Sequence, residues 1–203
     1  MLKVLTHSAI RFEDNDLVYY VDPFNTKDYE HDADIIFVTH EHYDHFSKSD
    51  IDRLKKEDTV IVMPESMKLQ AFDYDKVFFV NPDGLYKVKG LKFKTVKAYN
   101  TQKAFHPIEN KWVGYLFATE EGVVYVAGDT DENEDNLKVK CDIALIPVGG
   151  TYTMDPMQAV HFINSIKPKK AIPTHYGSAV GDKNCGEIFA KHVDPEIEVE
   201  IQL

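Results

Sequence analysis

The chain has 203 residues, 43% hydrophobic and 28% charged, a globular mix that excludes disordered, collagen-like and mucin-like classes. Lys plus Arg number 23 against 34 Asp plus Glu; the resulting −11 repels a phosphate backbone and argues against general nucleic-acid binding. Cys141 and Cys185 are too few for a disulfide framework, no apolar run reaches the length of a membrane span, and Met1–His7 has no signal-peptide pattern, so one domain over residues 1–203, in the cytoplasm, is expected.

In chain order, short runs rich in Val, Ile, Phe and Tyr alternate with turn residues. Leu2–Thr6 and Leu17–Val21 pattern as the arms of a hairpin joined through Glu13-Asp14-Asn15-Asp16. Asp34–Thr39 is almost continuously apolar, as a strand buried on both faces is. Ser47–Lys56 predicts a helix, with Ile51 and Leu54 on one face. Strands are expected at Thr59–Met63 and Lys76–Val80, around a short helix near Glu65–Phe72. Leu85–Val88, Leu91–Ala98, Trp112–Thr119 and Val123–Ala127 then form a β-rich stretch, and Asp142–Pro147 is another buried strand. The clearest helix is Asp155–Lys167: Asp155 suits the N-cap, Pro156 the first helical position, Gln158 a capping box, and Pro168 ends it. A strand at Lys170–Pro173, a helix near Lys183–His192 and the alternating Glu196–Leu203 follow. That last segment reads as an edge strand, fit to close a sheet or to pair across a homo-oligomer. Each half runs strands first and strand–helix alternation second, which predicts an α/β (α+β) fold, an αββα sandwich of two mixed β-sheets flanked by helices.

The stretch Thr39-His40-Glu41-His42-Tyr43-Asp44-His45 carries the chemistry. Three imidazoles and a carboxylate follow directly on a buried strand, where the turning chain lets close neighbours converge on one point. These donors suit a divalent cation: Zn, Mn, Ni or Fe. His40-Glu41-x-x-Asp44 lacks the last histidine of a zincin helix. Asp129-x-Asp131-x-Asn133 starts like a calcium loop, but Glu134 stands where the turn glycine belongs and Lys140 where the final carboxylate belongs.

His40-x-His42-x-Asp44-His45 resembles the signature of the metallo-β-lactamase fold superfamily, and the other motifs fall in the order that resemblance implies. Asp22 in Tyr20-Val-Asp22-Pro23 matches the early aspartate that supports the metal loop. Asp129 in Gly128-Asp129-Thr130 matches a metal-bridging aspartate, and His175 in Pro173-Thr-His175-Tyr-Gly177 the last metal histidine. Thr6-His7-Ser8 and Gly128-Asp-Thr-Asp131 give it the flavour of the branch resembling L-ascorbate-6-phosphate lactonase and N-acyl-phosphatidylethanolamine phospholipase D. The resemblance implies one or two divalent ions per chain, held by His40, His42, Asp44, His45, Asp129 and His175. It also implies hydrolysis of an ester-type bond, a phosphodiester or sugar-phosphate lactone, in a small anionic substrate, with Asp44 orienting the nucleophile. Where a further metal histidine is usual, this chain has Asn100; His106 or His7 could replace it, or that ion could bind weakly. His106 could instead protonate the leaving group. A di-iron redox centre on the same fold and a non-catalytic metal-binding module are the alternatives.

The remaining histidines have plainer readings: His161 packed or at the surface of a helix, His192 complementing a helix C-terminus, His31 solvated. Gly149-Gly-Thr-Tyr-Thr153 sits between strand and helix, where its N–H groups could face an anionic group. Tyr176-Gly177 beside His175 could shape a pocket.

Overall fold

Two mixed sheets organise the chain in the computed structural model, which describes residues 1–203. The first contains β1 (Leu2–Thr6), β2 (Ala9–Asp14), β3 (Leu17–Val21), β4 (Ala33–Phe37), β5 (Lys55–Pro64) and β6 (Val77–Val80), in that spatial order. It is antiparallel from β1 to β3 and parallel from β3 to β6. The second contains β7 (Leu85–Val88), β8 (Leu91–Lys97), β9 (Val113–Thr119), β10 (Gly122–Val126), β11 (Ile143–Pro147), β12 (Lys170–Thr174) and β13 (Glu198–Val199), in the order β13-β12-β11-β10-β9-β8-β7. Here β7 to β10 are antiparallel and β10 to β13 parallel. Connection length sets the sense of pairing. Asn15 and Asp16, both at positive φ (50° and 60°), make the tight β2–β3 turn. Crossovers through α1 (Lys48–Leu54) and α2 (Pro156–Ile166) join the parallel pairs β4–β5 and β11–β12.

Three hydrophobic clusters define the layers. Twenty buried residues, with Phe12, Tyr19, Phe37, Phe93, Tyr115 and Phe117 at their centre, lie between the sheets. Phe162 and Ile163 of α2 and Phe189 of α3 (Cys185–His192) pack on Ala144 and Ile146 outside the second sheet. Ile51 and Leu54 of α1 pack on Ile36 and Val38 outside the first. Each fully buried Phe, Ile or Leu contributes about 1.5–3 kcal/mol, so the inter-sheet layer is the main stabilising element of this αββα sandwich.

Several expectations need correction. Leu2–Thr6 and Leu17–Val21 do not pair with each other; each forms a hairpin with β2, β1–β2 first and β2–β3 second. Ala9–Asp14 was missed because Arg11 interrupts an otherwise apolar alternation; its guanidinium turns outward to Asp32 and Glu13. The helix expected to Lys56 stops at Leu54, and the charged run Lys55–Asp58 extends β5 instead. Glu65–Phe72 forms two short 3₁₀ turns, Glu65–Met67 and Gln70–Asp73. Of Glu196–Leu203 only Glu198–Val199 is strand; beyond it Gln202 Oε1 accepts the Val4 N–H across at the other sheet (2.6 Å). The α2 capping box forms as expected: Asp155 accepts from the Met157 and Gln158 N–H groups, and Gln158 Oε1 from the Asp155 N–H. No helix is long and apolar enough to cross a membrane.

Candidate metal centre

The candidate metal-site residues all follow the carboxyl end of a strand. His7 follows β1, Asp22 follows β3, the 40–45 run follows β4, Asn100 and His106 follow β8, Asp129 follows β10 and His175 follows β12. This end of an open α/β sheet is where ligand crevices form. The chain must turn sharply there, and His7, Asp22 and His175 take left-handed backbone at φ 52°, 48° and 59°. Gly128, at φ 66°, brings Asp129 close against the β4 end; a Cβ there would lie 3.2 Å from Thr39 Cβ. A Cβ on Gly149 would lie 2.1 Å from the His175 carbonyl oxygen, so only glycine permits that approach.

Two groups of donor atoms share this space. His40, His42, His106 and Asp129 form one, with all four donor atoms within 4.8 Å of one another. His40 Nε2 is 3.1 Å from His42 Nδ1 and 3.9 Å from Asp129 Oδ2, and His106 Nε2 is 3.3 Å from the same oxygen. His7, Asp44, His45 and His175 form the other. Asp44 Oδ2 lies 3.0 Å from His7 Nε2, 3.5 Å from His175 Nε2 and 3.7 Å from His45 Nε2. Asp129 lies between the groups: its Oδ1 is 3.3 Å from His45 Nε2 and its Oδ2 3.1 Å from His175 Nε2.

Buried partners set the direction of the rings. Asp22 accepts from the Thr39 N–H (2.8 Å), the Thr39 hydroxyl (2.6 Å) and His45 Nδ1 (2.7 Å). With its Nδ1 proton held by Asp22, His45 in its neutral form turns a bare Nε2 toward Asp129. Thr39 Oγ1, having given its proton to Asp22, accepts from His40 Nδ1 (2.9 Å), which likewise leaves Nε2 of His40 bare. Trp112 packs against the first group, its ring centroid 5.0 Å from both His40 and His42.

Burial opposes charge on His7, His40, His42, His45 and His175, and nearby carboxylates reverse its effect only at the last two. Burial, reinforced by His45, holds His40 well below the ordinary imidazole value; burial and His106 lower His42. Burial also outweighs the Asp44 hydrogen bond at His7 and lowers it. At His45 burial is overcome by Asp129 and Asp22, and the pKa lies well above the ordinary value. At His175 burial is overcome by Asp129 and Asp44, and the pKa rises. Asp44 and Asp129 are themselves held far below the usual carboxylate range: burial is outweighed by bonds to His175 and His7 in one case, and by the charges of His175 and His45 in the other.

A divalent ion fits this donor set. His45 Nε2, His106 Nε2, His175 Nε2 and Asp129 Oδ1 are buried with no hydrogen-bond partner, although native interiors pair nearly all such atoms. The Nε2 atoms of His40, His45, His106 and His175 lie 3.1–3.9 Å from the Asp129 oxygens, at or beyond the long end of hydrogen-bond distances. These separations approximate the edges of a coordination shell, about 3.3 Å for tetrahedral bonds of 2.0–2.1 Å.

The structure brings His106 and His7 into the donor groups and sets Asn100 behind His106. The Asn100 amide nitrogen is 3.1 Å from His106 Nδ1 and donates to Tyr152 O (2.7 Å), and the loop is closed by the Asn100 N–H to His106 O (2.8 Å). Of the Gly149–Thr153 loop, the N–H groups of Gly150, Tyr152 and Thr153 bond to Met154 O and Gly150 O, which leaves those of Gly149 and Thr151 for the anionic group expected there. His161 is exposed and bonded to Glu132, His192 bonds its own helix at Ile188 O, and His31 is exposed against Lys55 O. Missed in the sequence were Trp112 and a latch in the turn that follows Asp129. In that latch Asn133 and Asn136 donate to the Asp131 carbonyl (3.2 and 2.8 Å), while Thr130 Oγ1 donates to Tyr99 O (2.9 Å). Its signal was the Asx-rich run already rejected as a calcium loop.

A profile of the beta-lactamase superfamily domain matches residues 1–175. A metal-dependent hydrolase of Methanopyrus kandleri is 29% identical over 98% of this chain and 93% of its own length. One of Thermus thermophilus is 30% identical over 94% of this chain and 89% of its own. Among solved structures, a Parabacteroides distasonis protein named as a metal-dependent hydrolase is 30% identical with a TM-score of 0.86, covering 100% of this chain and 92% of that one. CmlA, a diiron β-hydroxylase of Streptomyces venezuelae, is 13% identical with a TM-score of 0.78, over 100% of this chain and 52% of that one; it shares the fold alone.

Proposed function

The chain belongs to the metallo-β-lactamase superfamily and is a metal-dependent hydrolase of it, and on that premise we propose that it cleaves an ester-type bond of the phosphodiester or sugar-phosphate lactone class at a two-ion centre. His40, His42 and His106 would hold one ion, Asp44, His45 and His175 the other, with Asp129 shared between them. The observation that supports this most is the convergence, from four strand ends, of buried donor atoms that have no partner within the protein. When bound, divalent cations supply a nucleophilic water at neutral pH and polarise a carbonyl or phosphoryl oxygen.

The chain's own residues do the rest. Asp44, kept ionised and braced by His7, presents an acceptor that orients the attacking water. Asp22, through Thr39 and His45, keeps the imidazoles aimed and in the tautomer that leaves Nε2 bare. His106, fixed from behind by Asn100, completes the first set of donors and replaces the imidazole that Asn100 does not supply.

The test is metal analysis of the purified protein, combined with a panel of phosphodiesters, sugar-phosphate lactones and carboxylic esters assayed with Zn²⁺, Mn²⁺, Ni²⁺ and Fe²⁺. Two ions per chain, with turnover in one of the first two classes that is lost in Asp129→Ala, is the expected result. Full metal occupancy without turnover on any substrate would favour a non-catalytic metal-binding module. Iron with a visible spectrum and oxidase activity would favour a redox centre.

A further inference from the structure

His7 faces two compartments. Its Nε2 is 3.0 Å from Asp44 in the metal centre, and its Nδ1 is 3.4 Å from Ser178 Oγ on the other side. On that second side lies a cavity of about 360 Å³, walled by His7, Leu5, Tyr176, Ser178, Lys183 and Leu203. That is within the size range of small-molecule sites. The loop bearing Ser178 and Lys183 is held close to the metal centre. Gly181, at φ 71°, packs so tightly that a Cβ would lie 2.7 Å from Gly149 Cα, and Gly149 in turn abuts the His175 carbonyl. Lys183 is therefore carried on a segment tied to the strand end that presents His175.

The charge of this cavity differs from that of the rest of the molecule. The chain carries −11 overall, yet no acidic side chain lines the cavity, and Lys183 is its one lysine or arginine. A cavity of about 200 Å³ is lined by Asp131 and Glu132 with no lysine or arginine, and one of about 390 Å³ sets Lys55, Lys56 and Lys76 against Glu57, Asp73 and Asp75, where Lys55 and Lys56 are paired with Asp52 and Asp34. Lysines beside the centre, such as Lys97 and Lys103, are taken up by Asp135 and Asp131, whereas Lys183 makes no ion pair. Leu5 and the Tyr176 ring supply an apolar wall next to the cation and the Ser178 hydroxyl.

We propose that this cavity binds a small organic anion, a carboxylate or phosphate monoester on a short apolar body, with the acid group at Lys183 and Ser178 and the body against Leu5 and Tyr176. The consequence for catalysis rests on the hydrolase reading above: the substrate is itself such an anion, anchored here while its scissile bond reaches the centre past His7. The binding claim stands apart from turnover.

The test is an amide chemical-shift titration of the full chain with hexanoate, hexyl phosphate and hexanol, in metal-loaded and chelated protein. Saturable shifts at the 177–183 amides are expected with both anions, and their relative affinity separates a carboxylate from a phosphate preference. Lys183→Ala should weaken anion binding about tenfold, as loss of one charge-assisted contact does. Lys183→Arg should stay within about threefold of the parent, and hexanol should bind more than about tenfold worse. Chelation should leave the titration essentially unchanged. Absence of saturable shifts, hexanol binding as well as hexanoate, or no effect of Lys183→Ala overturns the proposal. Anion binding through Lys183 with no hydrolysis of any ester overturns the hydrolase reading and leaves this site standing; hydrolysis with no anion bound does the reverse.

Discussion

Asp22→Asn is the most searching test of how the centre is held. Asp22 is 1% exposed and accepts three protons, from the Thr39 N–H, the Thr39 hydroxyl and His45 Nδ1. Asparagine has nearly the same shape and tolerates the left-handed φ of 48° almost as aspartate does, so the backbone is not perturbed. One amide oxygen can keep the Thr39 N–H. The NH₂ group then confronts two donors, the Thr39 hydroxyl and His45 Nδ1. Bonds to a charged acceptor contribute about 1.5–3 kcal/mol each, and rotation of Thr39 recovers part of the loss. The expected fall in stability of the metal-free protein is therefore about 2–4 kcal/mol, read from chemical denaturation. Thr39 can recover only by turning its proton toward His40, which moves the His40 proton onto Nε2, where a ligand lone pair is needed. Metal affinity should fall 10–100-fold, about 1.4–2.7 kcal/mol, as measured by competition with a chromophoric chelator at alkaline pH. At lower pH the deficit should narrow, because Asp22 also helps raise the His45 pKa and so strengthens proton competition in the parent. Parental stability together with parental metal affinity would refute this account of Asp22.

Three further outcomes follow from the same geometry. His106→Ala should halve bound metal; full metal content with turnover lowered on the order of 10²–10⁴ would make His106 the leaving-group acid instead. The raised pKa values of His45 and His175 mean that protons occupy these two rings in the metal-free protein. Since the ion needs them neutral, apparent affinity should climb as the pH rises through and beyond the ordinary imidazole range and level once both rings have lost their protons, and a flat profile would contradict the assignment. Asn136→Ala removes a fully buried amide that bonds the Asp131 carbonyl and the Asn133 N–H. It should cost about 2–4 kcal/mol of stability and weaken metal binding with it, and an unchanged denaturation midpoint would show the latch to be dispensable.

What could be read from the chain depended on whether the information was local. The His40–His45 run was legible because its donors are sequence neighbours at the end of an apolar strand. The sandwich was legible because apolar runs and the Asp155-Pro156 cap mark their own boundaries. Asp22, Asp129 and His175 were found only through their motifs' order along the chain. The parts that stayed open were tertiary. Nothing in the spacing of His7 and Asp44, 37 residues apart, or of His7 and Ser178, 171 apart, announces a contact. Asn100 looked like a weakened ligand because its neighbour in space, His106, lies across a six-residue loop that only the folded chain closes. The Gly149–Thr153 loop misled for the opposite reason. Its glycines promised free N–H groups, but local bonds took up that of Gly150 together with those of Tyr152 and Thr153.

The residue types at this centre answer two demands at once. A strand end that aims a side chain back across the sheet edge needs an abrupt turn, and His7, Asp22 and His175 supply it in left-handed backbone. A β-branched residue there would be badly strained, at about 1–3 kcal/mol per position, whereas His and Asp are among the few non-glycine types that enter this region readily. The same side chains serve the centre: His175 offers a donor atom, His7 braces Asp44, and Asp22 holds Thr39 and His45. Glycine would relieve the turn and remove the donor; valine would suit the preceding strand and resist the turn. The proposed centre and the chain reversal therefore call for the same residues at the same positions, and the inter-sheet aromatic layer behind them supplies the rigidity that keeps both in place.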